Sequence, residues 1–395
     1  MALGALIGAY QEDEEGGLRA LLPLAGRTLI EYQVRCAVAA GAAPIVALVE
    51  RMPPALHELL ERLRLDGITV TPVGDGHEAA SRFEAGSLVL LIADGVVSPP
   101  ELLARIADEP EAAVATVPDD EEHVAFERID GASRWAGLAL VDARTLSSTA
   151  AMIGDWDLPS TLLRRTVQEG AARLPVDLQT EAPLIVERSD QLAAFERHLF
   201  VASRGARRDW ASRYVLPLAE EFATEQLMER RIRPEWLVWV ALALTLGAAF
   251  AFTRGWLWPA LGLLIVSTPL DLVARRLANL RLQPLPRRLV SRRLLWPAAG
   301  LALAGLGLWL TRNGAGWGAI FAAATAIAFA EAARIERGDA EVPGRLWLFT
   351  RRNAILLGIP FGLAGAWLSY VGALAVYAAA SFFFVQHVRH DIAGD

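Results

Sequence analysis

The sequence predicts an α/β domain followed by an all-α domain of six membrane spans. Three observations lead there. Residues 1–190 alternate short apolar runs with amphipathic stretches of helical period. Residues 235–388 form a series of long apolar runs, several near the ~20 residues that cross a hydrocarbon core. The 395-residue composition, 54% hydrophobic with 12 Trp, and a mean hydropathy of +0.33, suits a part-membrane protein. The expected boundaries are 1–195 for the α/β domain, 196–234 for a linker with an interfacial helix, and 235–388 for the membrane domain.

In the first domain, strands are expected at Ala2–Gly8, Pro44–Val49, Ile68–Thr71, Ser87–Ala93, Ala112–Val117 and Gly137–Val141. Helices are expected at Leu29–Ala40, Ala55–Leu63 and Pro100–Ala107. Strands alternating with helices imply a mostly parallel sheet. Arg208–Leu227 mixes aromatics, Arg and Leu and reads as a helix lying in the membrane interface. The spans follow at 235–253, 256–274, 294–311, 315–333, 353–368 and 370–387. Runs rich in small residues, such as Gly300, Ala302, Ala304, Gly305 and Gly307, let helices approach closely.

Charge sets the expected orientation. Arg230, Arg231 and Arg233 precede the first span, with Arg204, Arg207, Arg208 and Arg213 upstream. Arg275, Arg276, Arg281, Arg287, Arg288, Arg292 and Arg293 lie between spans two and three, and Arg334, Arg337, Arg345, Arg351 and Arg352 between four and five. The alternate loops carry only Arg254, only Arg312, and nothing. That asymmetry places both termini in the cytoplasm, in an inner-membrane, multi-pass protein. No basic segment precedes an apolar core at the N-terminus, so no cleaved signal peptide is expected.

The formal net charge of −7 excludes nucleic acid as a main partner. Cys36 is the single cysteine, which excludes an intramolecular disulfide and a Cys-based zinc site. All 38 Lys+Arg side chains are Arg, so no side-chain amine can shed a proton for chemistry. His57, His77, His123, His198, His387 and His390 show no zinc-ligand spacing. There is no nucleophile elbow, P-loop or dinucleotide fingerprint.

Two stretches carry chemistry. Leu270–Gln283 (LDLVARRLANLRLQ), at the end of the second span, resembles the signature of the CDP-alcohol phosphatidyltransferase family, Asp-x2-Asp-Gly-x2-Ala-Arg-x8-Gly-x3-Asp-x3-Asp. The resemblance implies carboxylates holding Mg2+ or Mn2+ against the pyrophosphate of a CDP-alcohol. Asp271 falls on the first Asp and Ala278 on the Ala, but Ala274, Arg275, Asn279, Arg288, Arg292 and Trp296 replace the other elements. A shifted register that puts Asp271 on the second Asp also leaves one carboxylate. Asp271 is therefore expected either as a catalytic metal ligand or as an ion-pair partner of Arg275 one turn on. Arg275, Arg276 and Arg281 are candidate anion-binding residues, or determinants of topology and lipid contacts.

Leu18–Glu31 (LRALLPLAGRTLIE) resembles the Pro-Lys-x-Leu-Leu-Pro-Val-x-Gly-x-Pro-Leu-Ile segment of sugar-phosphate nucleotidyltransferases, with Arg19 at the signature Lys. Leu90–Asp94 resembles that family's strand ending in a metal-binding Asp, which makes Asp94 a candidate metal residue or an ordinary turn residue. The family's Gly-rich triphosphate loop is replaced by Ala9–Glu15 (AYQEDEE), whose four consecutive carboxylates would repel a triphosphate.

Together the resemblances imply a fusion in which CTP activates an alcohol phosphate and the membrane domain transfers it. The expected function is a divergent phosphotransferase of phospholipid or sphingolipid head-group synthesis. The alternative is a catalytically silent homologue that partners an active enzyme or binds its lipid. Membrane lipids, a nucleotide substrate, and a homodimer or a heteromer with an active homologue are the expected partners.

Overall fold

The computed structural model describes residues 2–153, 157–179, 182–202, 209–228, 232–282, 290–338 and 344–394. Contacts divide the chain into two compact units, 1–202 with 280–283, and 203–279 with 284–395.

The first unit is built on a sheet of seven strands among the described residues: β1 (Leu3–Gly8), β2 (Ile45–Leu48), β3 (Val70–Val73), β4 (Leu88–Ile92), β5 (Ala113–Pro118), β6 (Ser133–Asp142) and β7 (Ala172–Pro175). Their order is β7-β5-β6-β4-β1-β2-β3. β1 pairs in parallel with β2 and β4, with Ala5 opposite both Ile45 and Leu90. The β2–β3 and β5–β7 pairs are also parallel, while β6 runs antiparallel between β4 and β5. The mostly parallel sheet expected from the alternating pattern is present, with one strand reversed.

Among the described residues seven α-helices accompany it: α1 (Leu29–Ala39), α2 (Pro54–Leu65), α3 (Gly76–Ser81), α4 (Pro100–Ala107), α5 (Ala143–Ile153), α6 (Leu158–Gln168) and α7 (Ser189–Ala202). Side chains alternate across the sheet, so each face has its own core. Ala5, Ile7, Leu90 and Ile92 join Leu29 and Ile30 of α1 and Leu56 of α2. Leu6, Val89 and Leu91 join Leu146 of α5 and Leu162 of α6 on the other side. Each such Leu or Ile, fully buried, contributes about 1.5–3 kcal/mol.

The strand expected to begin at Gly137 begins at Ser133 and runs through that glycine. Gly137 has φ +79°, and a Cβ there would sit 2.2 Å from Val96 Cγ2. A residue chosen for close approach interrupts the apolar alternation, and so hides the first half of the strand.

The second unit is helical. Five described helices are long and apolar enough to cross a membrane: α9 (Pro234–Thr253), α10 (Leu257–Leu280), α11 (Val290–Leu310), α12 (Trp317–Arg337) and α14 (Trp367–Gly394), after α8 (Pro217–Met228). The sixth run, expected at 353–368, is α13 (Arg351–Leu363) followed by a turn. Its 13 residues rise about 20 Å, short of the ~30 Å hydrocarbon core. The turn residues Ala364–Ala366 are themselves apolar, so hydropathy runs straight through a reversal where Gly365 takes φ +67°.

In α10 a polar side chain compensates for a proline. Pro269 inside α10 leaves the Ile265 carbonyl without its usual donor, and the Thr268 hydroxyl donates to it at 2.7 Å. Small residues set the spacing: a Cβ on Gly307 of α11 would lie 2.8 Å from Ala323 Cβ of α12, and one on Gly305 would lie 2.9 Å from the Ala249 carbonyl oxygen of α9. Of the expected interfacial helix, Arg208 lies outside the described residues. The rest is a turn at Ala211–Val215 and α8, with Tyr214, Leu218 and Phe222 exposed at four-residue intervals. Such an apolar stripe suits the interface plane.

Candidate functional site

Each unit holds a buried carboxylate that organises its surroundings. In the first, Asp94 follows the end of β4 beside the end of β1. The two strands are so close that a Cβ on Gly8 would lie 2.9 Å from the Asp94 nitrogen. Asp94 Oδ2 accepts the backbone N–H groups of Tyr10 and Gln11, each at 2.6 Å. Oδ1 is buried with no hydrogen-bond partner among the described residues. Burial raises the Asp94 pKa, opposed by the Gln11 and Tyr10 N–H groups and the charge of Arg19. Arg19 donates to Gln11 Oε1 at 2.5 Å and lies over Gly95, where a Cβ would meet Arg19 Cδ at 2.4 Å. The two sequence-predicted residues Asp94 and Arg19 are thus brought together, through Gln11.

The acidic segment that follows is a closed hairpin. Asp13 Oδ1 accepts the N–H groups of Glu15 and Gly17, and Glu12 pairs with Leu18. Those two backbone N–H groups are thus satisfied by a carboxylate of the chain itself. Tyr10, whose hydroxyl donates to Asp157 at 3.2 Å, is held protonated by burial and by the Asp157 and Asp94 charges. Neither Tyr10 nor Gln11 stood out in the sequence, because their backbone groups, not their side chains, contact the carboxylate.

In the second unit, Asp271 lies in α10 two residues past Pro269. Arg275 donates to its Oδ2 at 3.3 Å, the pairing expected one turn on. Two further guanidinium groups converge from the first turn of α13: Arg351 Nη2 on Oδ1 at 3.2 Å and Arg352 Nη2 on Oδ2 at 2.6 Å. Arg352 also donates to Asp209 at 2.9 Å, and Asp209 caps Ser212 N–H at 2.8 Å. Asn353 accepts from Ala211 N–H at 3.1 Å and donates to the Leu348 carbonyl at 3.0 Å. Arg276 pairs with Glu220 at 3.4 Å, both buried. Arg281, which follows the end of α10 and belongs to the first unit, is buried.

The carboxylate is therefore ringed by cations. Arg351 and Arg352 looked like topology determinants in sequence, and nothing local marks them as partners of a residue 80 positions away. Of the positions matched to the signature's last aspartates, the Arg292 side chain lies outside the described residues. Trp296 packs edge-on to Phe349, with ring centroids 6.5 Å apart. Among the described residues no group of three or more His, Cys, Asp or Glu could hold a metal ion.

No family model and no curated protein matches the chain. Its neighbours among solved structures are nucleotidyltransferases. A protein from Bacillus anthracis provisionally assigned as a glucose-1-phosphate thymidylyltransferase, solved with a sucrose, is 11% identical. The match covers 50% of this chain and 95% of that one, with a TM-score of 0.40. A CTP:phosphocholine cytidylyltransferase from Streptococcus pneumoniae is 14% identical over 50% of this chain and 100% of its own, with a TM-score of 0.37.

Proposed function

We propose that the protein is a catalytically silent homologue of the fusions that join a nucleotidyltransferase to a CDP-alcohol phosphatidyltransferase. In this reading it is a multi-pass inner-membrane subunit of phospholipid or sphingolipid head-group synthesis, with both termini cytoplasmic. The observation that carries it is the state of Asp271, whose two oxygens accept from three guanidinium groups. A divalent ion placed about 4 Å from a guanidinium meets a repulsion of about 8 kcal/mol at an effective dielectric of 20. Three such neighbours oppose metal binding more strongly than one carboxylate favours it. The closed Asp13 hairpin supports the same reading for the first unit.

A second reading, a divergent phosphotransferase using Mg2+ or Mn2+, has one observation in its favour: Asp94 keeps a buried oxygen with no hydrogen-bond partner among the described residues, which fits a hard cation. In that case Asp94 would hold the metal and Arg19 the nucleotide phosphate, while Asp271, Arg275, Arg276 and Arg281 would serve the CDP-alcohol. The two readings separate on CMP release from CDP-alcohols with Mg2+ or Mn2+, measured on detergent-purified protein. The silent subunit releases none and co-purifies with a partner carrying the full aspartate set, as a heteromer and not a homodimer alone.

A further inference from the structure

The helical unit holds a half-open cavity of about 820 Å3. That lies within the ~300–1,000 Å3 typical of small-molecule sites. Phe252, Leu264, Leu303, Ile327, Ile355 and Leu374 give it apolar walls. Walls this apolar offer water few hydrogen-bond partners, so this part of the space suits hydrocarbon. From Arg293 to Leu306 the lining follows α11 for about 20 Å at the helical rise.

One end is different. Arg293 in the first turn of α11, Glu331 and Arg334 near the end of α12, and Arg351 at the start of α13 all line it. Glu331 is engaged by Arg334 at 2.9 Å, and the Arg334 guanidinium also lies over the Trp296 ring, 6.0 Å from its centroid. The Arg351 side chain is only 9% exposed. Its Nη2 reaches Asp271, but its Nη1 is buried and has no hydrogen-bond partner among the described residues. Asp271 cannot neutralise it alone, since Arg352 and Arg275 share the same carboxylate. A buried charged donor without an acceptor is costly. The cavity thus presents two features to a ligand: apolar walls and, at Arg351, a buried cationic donor.

We propose that the helical unit binds one anionic lipid, with its phosphate on Arg351 at the charged end and an acyl chain in the cavity. The proposal rests on the membrane-embedded reading of this unit and not on catalytic silence. A failure of lipid binding is therefore distinguishable from CMP release, which tests the other claim.

The experiment uses the full chain, purified in detergent and delipidated. Phosphatidic acid, diacylglycerol and inorganic phosphate are titrated separately, with bound lipid counted by native mass spectrometry and the melting temperature followed in parallel. Phosphatidic acid is expected to bind once per chain and raise the melting temperature. Diacylglycerol, lacking the anion, and phosphate, lacking the chain, are expected to bind at least about tenfold more weakly, as loss of a charge-assisted hydrogen bond implies. Arg351→Gln should weaken phosphatidic acid by about the same factor. Ala304→Phe, which fills the cavity and leaves Arg351 untouched, should abolish lipid binding while the protein remains folded. Equal affinity for phosphatidic acid and diacylglycerol would overturn the proposal. So would saturation by inorganic phosphate alone, undiminished binding to Ala304→Phe, or no binding of phosphatidic acid.

Discussion

Replacing Asp271 by Asn keeps the side-chain volume and removes one charge. In the wild-type protein three guanidinium groups donate to this carboxylate, two of them largely buried themselves. Arg352 keeps Asp209 after the change, whereas Arg351 loses the carboxylate it contacts here. Attraction at 4 Å and an effective dielectric of 20 is about 4 kcal/mol per pair, and desolvation returns much of it. Breaking a buried ion pair from one side costs about 3–5 kcal/mol, because the remaining charge is stranded. For a unit of this size that corresponds to a melting-temperature drop of about 6–20 °C, at roughly 2–4 °C per kcal/mol. Thermal unfolding in detergent at a fixed scan rate reads it. The double variant Asp271→Asn/Arg351→Met should recover part of the loss, since it removes the stranded cation as well. A single-variant shift below about 2 °C would refute the view that Asp271 is the electrostatic keystone of this end of the unit.

Other outcomes follow from particular contacts. Asp94 has a folded pKa above its unfolded value because of burial, so it binds a proton more readily when folded. Its contribution to stability is therefore most favourable at low pH and declines as pH rises from the unfolded pKa through the raised folded one. Asp94→Asn, which can still accept from Tyr10 and Gln11, should flatten that part of the stability–pH curve, and an unchanged curve by chemical denaturation would sink the idea. Thr268→Val removes the donor to the Ile265 carbonyl beside Pro269 and should cost about 1–3 kcal/mol. A change within error in thermal unfolding would show that another group or water takes over. Gly137→Ala should destabilise the first unit strongly, since the added Cβ meets Val96 at a backbone angle few L-residues adopt. Soluble yield and melting temperature check it, and a neutral outcome would contradict the strand geometry.

The sheet and its first helices were legible because strands buried on both faces, such as β1 and β4, read as short continuous apolar runs between amphipathic helical stretches. Helix α4 appears at its expected limits, Pro100–Ala107. The length of α13 was not legible, since Ala364–Ala366 turn the chain without leaving the apolar alphabet. At the site, the Asp271–Arg275 pair was readable because it is one helical turn long. Its two stronger partners were not, because Arg351 and Arg352 carry the same charge at the same membrane end that topology alone demands. Asp94 and Arg19 were singled out through their motif, but the Asp13 hairpin was read only as a run of charge. Which of those carboxylates folds inward onto backbone N–H groups depends on Gly17 and Leu18 returning beside it, and a charge count does not contain that.

The most direct test of the silent-subunit account is CMP release by the purified full chain from a panel of CDP-alcohols, with Mg2+ or Mn2+ and a lipid acceptor supplied in nanodiscs. The account predicts release no faster than in protein-free nanodiscs, at every metal concentration, for wild type and Asp271→Ala alike. Metal-dependent release by the wild type that disappears in Asp271→Ala would contradict it.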